Sequence, residues 1–185
     1  NTKYLPRPTN FYNNAIYLGG ANREQADKQT VRGITIIYSP DASIYGMSSN
    51  TTIENVKIMN HFSKFGTICV GKNATIQNNY CSSDTRLIRV LGSNGLIRNN
   101  FLHGRKEKAQ PLVFGDRIQH DVDDIQVIDN LIVGNCKNLI RITNASHGNL
   151  SNFNFSGIKY IMPPGTTDSP KLVYMGMGYS PYRRG

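Results

Sequence analysis

The sequence predicts an all-β fold, a right-handed single-stranded parallel β-helix of about seven coils cornered by a ladder of asparagines. Two recurrences lead there. A short pattern, apolar–any–Asn with an apolar residue three further on, returns about every 22 residues, and a second short apolar strand returns between its copies. The composition agrees: only 18% of residues are charged, and the turn-favouring Asn, Ser, Thr and Gly are abundant. At 185 residues, the chain is long enough to bury a sizeable core.

The pattern reads Phe11-Tyr12-Asn13, Ile53-Glu54-Asn55, Ile76-Gln77-Asn78, Ile97-Arg98-Asn99, Ile128-Asp129-Asn130 and Leu150-Ser151-Asn152, with a degenerate copy at Ile34-Thr35-Ile36. Such a period is too short for a propeller blade and suits one turn of a β-solenoid. Each coil must bend sharply between strands, and Asn tolerates the left-handed backbone that the bend needs. Stacked coils then set amide over amide. Asn13, Asn55, Asn78, Asn99, Asn130 and Asn152 are therefore expected to hydrogen-bond in a column. A second column is expected at Asn50, Asn73 and Asn94, each five residues before a ladder Asn.

In the second recurring strand, period-two alternation sends Ile44, Ile68, Ile88, Val113, Ile140 and Val173 inward. Tyr45, Cys69, Arg89, Phe114, Arg141 and Tyr174 then face outward. Two more outward columns flank the ladder. Glu54, Gln77, Arg98 and Asp129 make a polar stack, and Lys57, Tyr80, Phe101 and Ile132 make a largely apolar stripe. A stripe of that kind marks an interface or a face covered by a loop.

By this reading residues 1–10 are a lead-in, 11–176 the β-helix, and 177–185 a tail leading to a further domain or partner, since open solenoid ends need capping. No run of about 18 apolar residues exists, which excludes a membrane-spanning helix. Cys69, Cys81 and Cys136 have no metal-ligand spacing and are odd in number, so they are read as buried thiols. Asp121, Asp123 and Asp124 lack the spacing of a calcium loop. No metal and no cofactor is implied.

The net charge of +9 is spread along the chain, with one cluster at Arg105, Lys106 and Lys108. That spread suits an acidic polysaccharide and speaks against nucleic acid as the partner. Sugar rings lie on aromatic faces, and Arg forks pair with carboxylates. Tyr45, Arg89, Phe114, Arg117, Arg141 and Tyr174 are accordingly the candidate sugar contacts. The longest coil, between Asn99 and Asn130, carries a basic and an acidic loop. Asp84 and Asp116 are the candidate carboxyl pair for glycoside hydrolysis; elimination would need a basic side chain and cationic help for the uronate carboxylate, for which His120, Arg117 and Arg89 are the candidates.

The Asn-cornered coils resemble the pectate-lyase-like parallel β-helix superfamily, and within it most of all bacteriophage tailspike and appendage proteins, over roughly residues 11–176. The resemblance implies a homotrimer, with Tyr80, Phe101 and Ile132 as subunit contact, located in a virion tail or outside the cell. It implies a bacterial surface polysaccharide as partner, bound and in some members depolymerised. A non-viral secreted lyase or hydrolase and a non-catalytic adhesin or structural solenoid are the alternatives.

Overall fold

In the computed structural model, which describes residues 14–18, 28–39, 41–46, 48–61, 66–115, 121–144, 149–166 and 170–177, the chain winds into a parallel β-solenoid. Three strand-bearing faces succeed one another in every coil. Face A stacks β1 (Ile16–Leu18), β4 (Ile44–Gly46), β7 (Ile68–Val70), β10 (Arg86–Val90), the second half of β12 (Phe101–Gly115), β15 (Asn138–Asn144) and β18 (Lys171–Met177). Face B stacks β2 (Thr30–Arg32), β5 (Thr52–Glu54), β8 (Thr75–Gln77), β11 (Leu96–Arg98), β13 (Ile125–Ile128) and β16 (Phe153–Ser156). Face C stacks β3 (Thr35–Ile36), β6 (Lys57–His61), β9 (Tyr80–Ser83), the first half of β12, β14 (Leu131–Cys136) and β17 (Lys159–Ile161). Every strand pairing among the described residues is parallel.

From β2 to β16 the chain completes about five turns, not the seven expected. The seven marks counted in the sequence do not bound seven coils. The copy at Asn13 lies outside the described residues, as do residues 1–10 and all of 177–185 except Met177. Asn152 belongs to a different corner, described below.

The core follows from alternation along each short strand. Register sets Val31, Ile53, Ile76, Ile97, Val127 and Phe155 in one inward column on face B. Face C contributes Ile36, Ile58, Cys81, Leu102, Ile132 and Tyr160. Face A contributes Ile44, Ile68, Ile88, Leu112, Ile140 and Val173. Side chains from Ile53 to Val127 in the first column are fully buried, each stabilising the fold by about 1.5–3 kcal/mol relative to exposure. β-Branched residues suit this role because their stiff χ1 matches a pleated, packed surface.

Two left-handed corners bracket every face-B strand. One is Lys28, Asn50, Asn73, Asn94, Asp124 and Asn152; the other is Gly33, Asn55, Asn78, Asn99, Asp129 and Gly157, all with positive φ. Asn, Asp and Gly bear that conformation at least cost. At the first corner the amides bond across coils, from Asn73 Nδ2 to Asn50 Oδ1 at 3.1 Å and from Asn94 Nδ2 to Asn73 Oδ1 at 3.0 Å. Asn152 continues it, donating to Asp124 Oδ1 at 3.2 Å.

The buried amide column differs from the expected one. Asn55, Asn78 and Asn99 make the bend and leave their side chains exposed; the next residue turns inward. Asn79, Asn100 and Asn130 form the interior ladder, with Asn79 Nδ2 to Asn100 Oδ1 at 3.0 Å and Asn100 Nδ2 to Asn130 Oδ1 at 2.9 Å. Each Nδ2 also reaches a backbone carbonyl of the preceding coil, on Ile53, Ile76 and Ile97 respectively, at 2.9 Å. Each Oδ1 accepts the backbone N–H of the coil before it: Val56 at 2.9 Å, and Asn79 and Asn100 at 3.0 Å. One backbone cannot both adopt the left-handed bend and turn its side chain inward, so the two tasks fall to consecutive residues.

The same one-residue offset displaces three other assignments. Asp129, not Asn130, is the counterpart of Asn99, so Leu131 aligns with Phe101, and Ile132 is fully buried in the core. Arg98 pairs in register with Ile128 rather than Asp129, and the polar stack runs Arg32–Glu54–Gln77–Arg98 instead. On face A, Leu112 takes the inward place expected of Val113. Phe114 is therefore core, its ring 5.5 Å from that of Phe153 and edge-on to it.

Replacing Asn100 by Ala strips a buried N–H and a buried amide of their acceptor, a loss of about 3 kcal/mol or more. Asn99→Gly keeps the left-handed bend and is expected to stay within about 0.5 kcal/mol of the wild type. Urea unfolding of both variants checks this; equal losses would contradict the assignment of the two columns.

Candidate functional site

β12 is the irregular element, and it builds the site. Its two halves serve different faces, and its pairing with β14 shifts register between Gly104 and Ala109. Arg105, Lys106, Glu107 and Lys108 stand where β14 has only Asn135, and they bulge out at the corner between faces C and A. A coil that must keep its inward columns aligned can accommodate surplus residues only outside the stack. The bulge has a cleft on either side.

The larger cleft, about 670 Å³, is lined by Lys108, Gln110, Asn135, Asn138, Arg141 and Tyr174, with Glu107, Cys136, Lys137, Pro170 and Lys171 completing it. Three successive coils each bring a lysine: Lys108, Lys137 and Lys171. With Arg141 they set four cations against the single carboxylate of Glu107. Gln110 Oε1 accepts from Arg141 Nη1 at 3.3 Å and from Arg86 Nε at 3.4 Å, which ties the floor across coils. Arg141 and Tyr174 are register partners, and the Lys171 ammonium lies 5.7 Å from the Tyr174 ring centre. Burial pushes the Cys136 thiol up to about 12, so this part of the wall is neutral at ordinary pH.

On the other side, a cleft of about 580 Å³ is lined by Asp84, Thr85, Lys106, Glu107 and Lys108. Asp84 is buried there, with Oδ1 2.8 Å from Arg105 Nη2 and Oδ2 2.8 Å from Lys106 Nζ. Both oxygens are occupied by cations. Asp116, Arg117 and His120 lie outside the described residues, so the Asp84–Asp116 pair has no described geometry. Asp121 and Asp124 serve the corners: Asp121 Oδ1 accepts the Asn149 N–H at 2.6 Å, and Asp124 holds Asn152.

The expected outward column of face A is not one open surface. Tyr45 stacks on Tyr17, with ring centres 5.9 Å apart, at one end, and Arg141 and Tyr174 lie at the other. Between them Cys69, Arg89 and Val113 are buried. Five strand steps separate Tyr45 from Tyr174, about 24 Å along the stack. Arg141 and Tyr174 thus share the cleft, whereas Tyr45 and Arg89 are remote from it and Phe114 is in the core. On face C, Tyr80 and Phe101 stack with ring centres 5.2 Å apart and planes 10° apart, and Lys57 lies over Tyr80.

No known protein family, no curated protein and no solved structure matches this chain. The residues that line the clefts are therefore read from their geometry alone.

Sequence reading missed Lys137, Lys171, Gln110, Asn135 and Asn138. The signal present was one lysine per coil at a common corner, concealed by the unequal lengths of the last coils. The buried thiols of Cys81 and Cys136, both raised by burial to about 12 from the ordinary 9.0, also make a test. The folded state holds these protons more tightly, so their contribution is complete below pH 9 and is lost as pH rises through about 12. Urea midpoints measured from pH 8 upward should fall less steeply in Cys81→Ala/Cys136→Ala, by up to about 1.4 kcal/mol per pH unit for each thiol.

Proposed function

We propose that the chain is the glycan-recognising solenoid of a tailspike-like receptor-binding protein, acting in a virion tail or outside the cell on a bacterial surface polysaccharide. The observation that carries this reading is the cleft beside the β12 bulge. It is concave and supplied with the amides of Gln110, Asn135 and Asn138, the guanidinium of Arg141 and the ring of Tyr174. Amides offer a donor and an acceptor on one planar group, the pairing that a ring hydroxyl and its neighbour require. Tyr174 is well exposed and offers a flat apolar surface to the carbon side of a sugar ring.

Binding without cleavage is favoured at this corner. A general acid must carry a proton to the leaving oxygen, and Asp84 has both oxygens engaged by Arg105 and Lys106. Incubation with capsule and lipopolysaccharide panels distinguishes the outcomes. Retention of polymer without new reducing ends or ultraviolet absorbance is expected, weakened about tenfold by Tyr174→Ala. New reducing ends would indicate a hydrolase, new absorbance a lyase, and no retention of any glycan would dispose of the reading.

The face-C stripe of Tyr80, Phe101 and Leu131 supports self-association, the trimer that a tailspike-like protein needs. Half-buried rings side by side on face C gain by being covered. Sedimentation should report a trimer for the wild type and a monomer for Tyr80→Asp/Phe101→Asp; an unchanged mass in the variant would remove the stripe from the interface.

A further inference from the structure

We infer that the larger cleft selects an acidic sugar, whose carboxylate or phosphate meets the positive charge of Arg141 and of the lysines from three coils; this rests on the glycan-binding reading above. The guanidinium is half-satisfied. Its Nη1 donates to Gln110, while its Nε is buried and has no acceptor among the described residues. The Nε itself is enclosed, so an anion in the cleft meets the charge of the guanidinium, which has no carboxylate within ion-pair distance among the described residues.

The surroundings suit the same ligand. Lys108, Lys137 and Lys171 come from consecutive coils, so their backbones step along the stack by about 4.8 Å per strand. A polymer lying along that axis with an acid group on successive sugars meets cations at each step. Glu107 is the only carboxylate of the lining and sits at the bulge end, where it repels an anion away from that margin and toward Arg141. Neither Lys108 nor Lys137 has a carboxylate within ion-pair distance among the described residues, so neither must give up a partner to bind. A neutral glycan would leave these cations without a counter-charge.

The test uses the full chain with polysialic acid, alginate and hyaluronate, each beside its carboxyl-reduced neutral form, and a single-stranded oligonucleotide of matched charge. Affinity electrophoresis at two salt concentrations gives the dissociation constants. At least one acidic polymer should bind and lose tenfold or more on carboxyl reduction, about what loss of a charge-assisted contact produces. Arg141→Gln removes the charge; it should weaken the acidic polymer about tenfold and the neutral one by less. Lys137→Gln, at an exposed position, should weaken it several-fold with an unchanged unfolding midpoint. Equal binding of reduced and acidic forms overturns the inference while the glycan reading stands, and absence of any binding overturns both. Tighter binding of the oligonucleotide assigns the cleft to nucleic acid. Unchanged affinity in both variants moves the site elsewhere.

Discussion

The interior amide column at Asn79, Asn100 and Asn130 is the constraint on which the rest of the solenoid depends. A coil that turns from face B to face C must bury a stretch of backbone whose N–H and C=O groups are not all met by the flanking ladders. Each Asn answers this with one side chain that reaches the coil before it through Nδ2 and Oδ1, and the coil after it through the next amide. Buried polar groups left unmet are costly, so the column makes the stacking of these coils close to obligatory. The aliphatic columns then gain their burial because the coils are already held in register.

The division of labour between consecutive residues at the corner explains both the sequence pattern and its imperfections. The bend itself asks only for a left-handed backbone, and Gly33, Asp129 and Gly157 meet that need as well as Asn does. The inward place asks for a planar side chain with donor and acceptor, and where the ladder stops, Val56 takes it. Asn-Asn pairs at 78–79 and 99–100 are therefore two different residues in function, one conformational and one bonding.

What surrounds the cleft follows from rigidity elsewhere. Because the inward columns leave no freedom, the four residues Arg105 to Lys108 are expelled at one corner and become a basic ridge between two clefts. One cleft is electrostatically closed, with Asp84 neutralised by its two cations. The other keeps a surplus of positive charge and an unmet guanidinium donor. Concave surface on this repetitive fold thus arises where the repeat is broken, carried by coils that cannot relax to fill it.

The sequence by itself determined that the chain winds as parallel strands. Periodic aliphatic residues and left-handed corner residues are local requirements, and they stand in the letters wherever Ile53, Ile76 and Ile97 precede a bend. It also determined the outer amide column at Asn50, Asn73 and Asn94. Only the tertiary structure decided the register of the later coils. A single-residue offset moves a side chain to the opposite face, and nothing local distinguishes Asp129 from Asn130 as the bend, or Val113 from Leu112 as the core residue. For the same reason Ile132 and Phe114, read as surface, are core. Lys137 and Lys171, unremarkable in sequence, meet Arg141 only because unequal coils stack them at one corner.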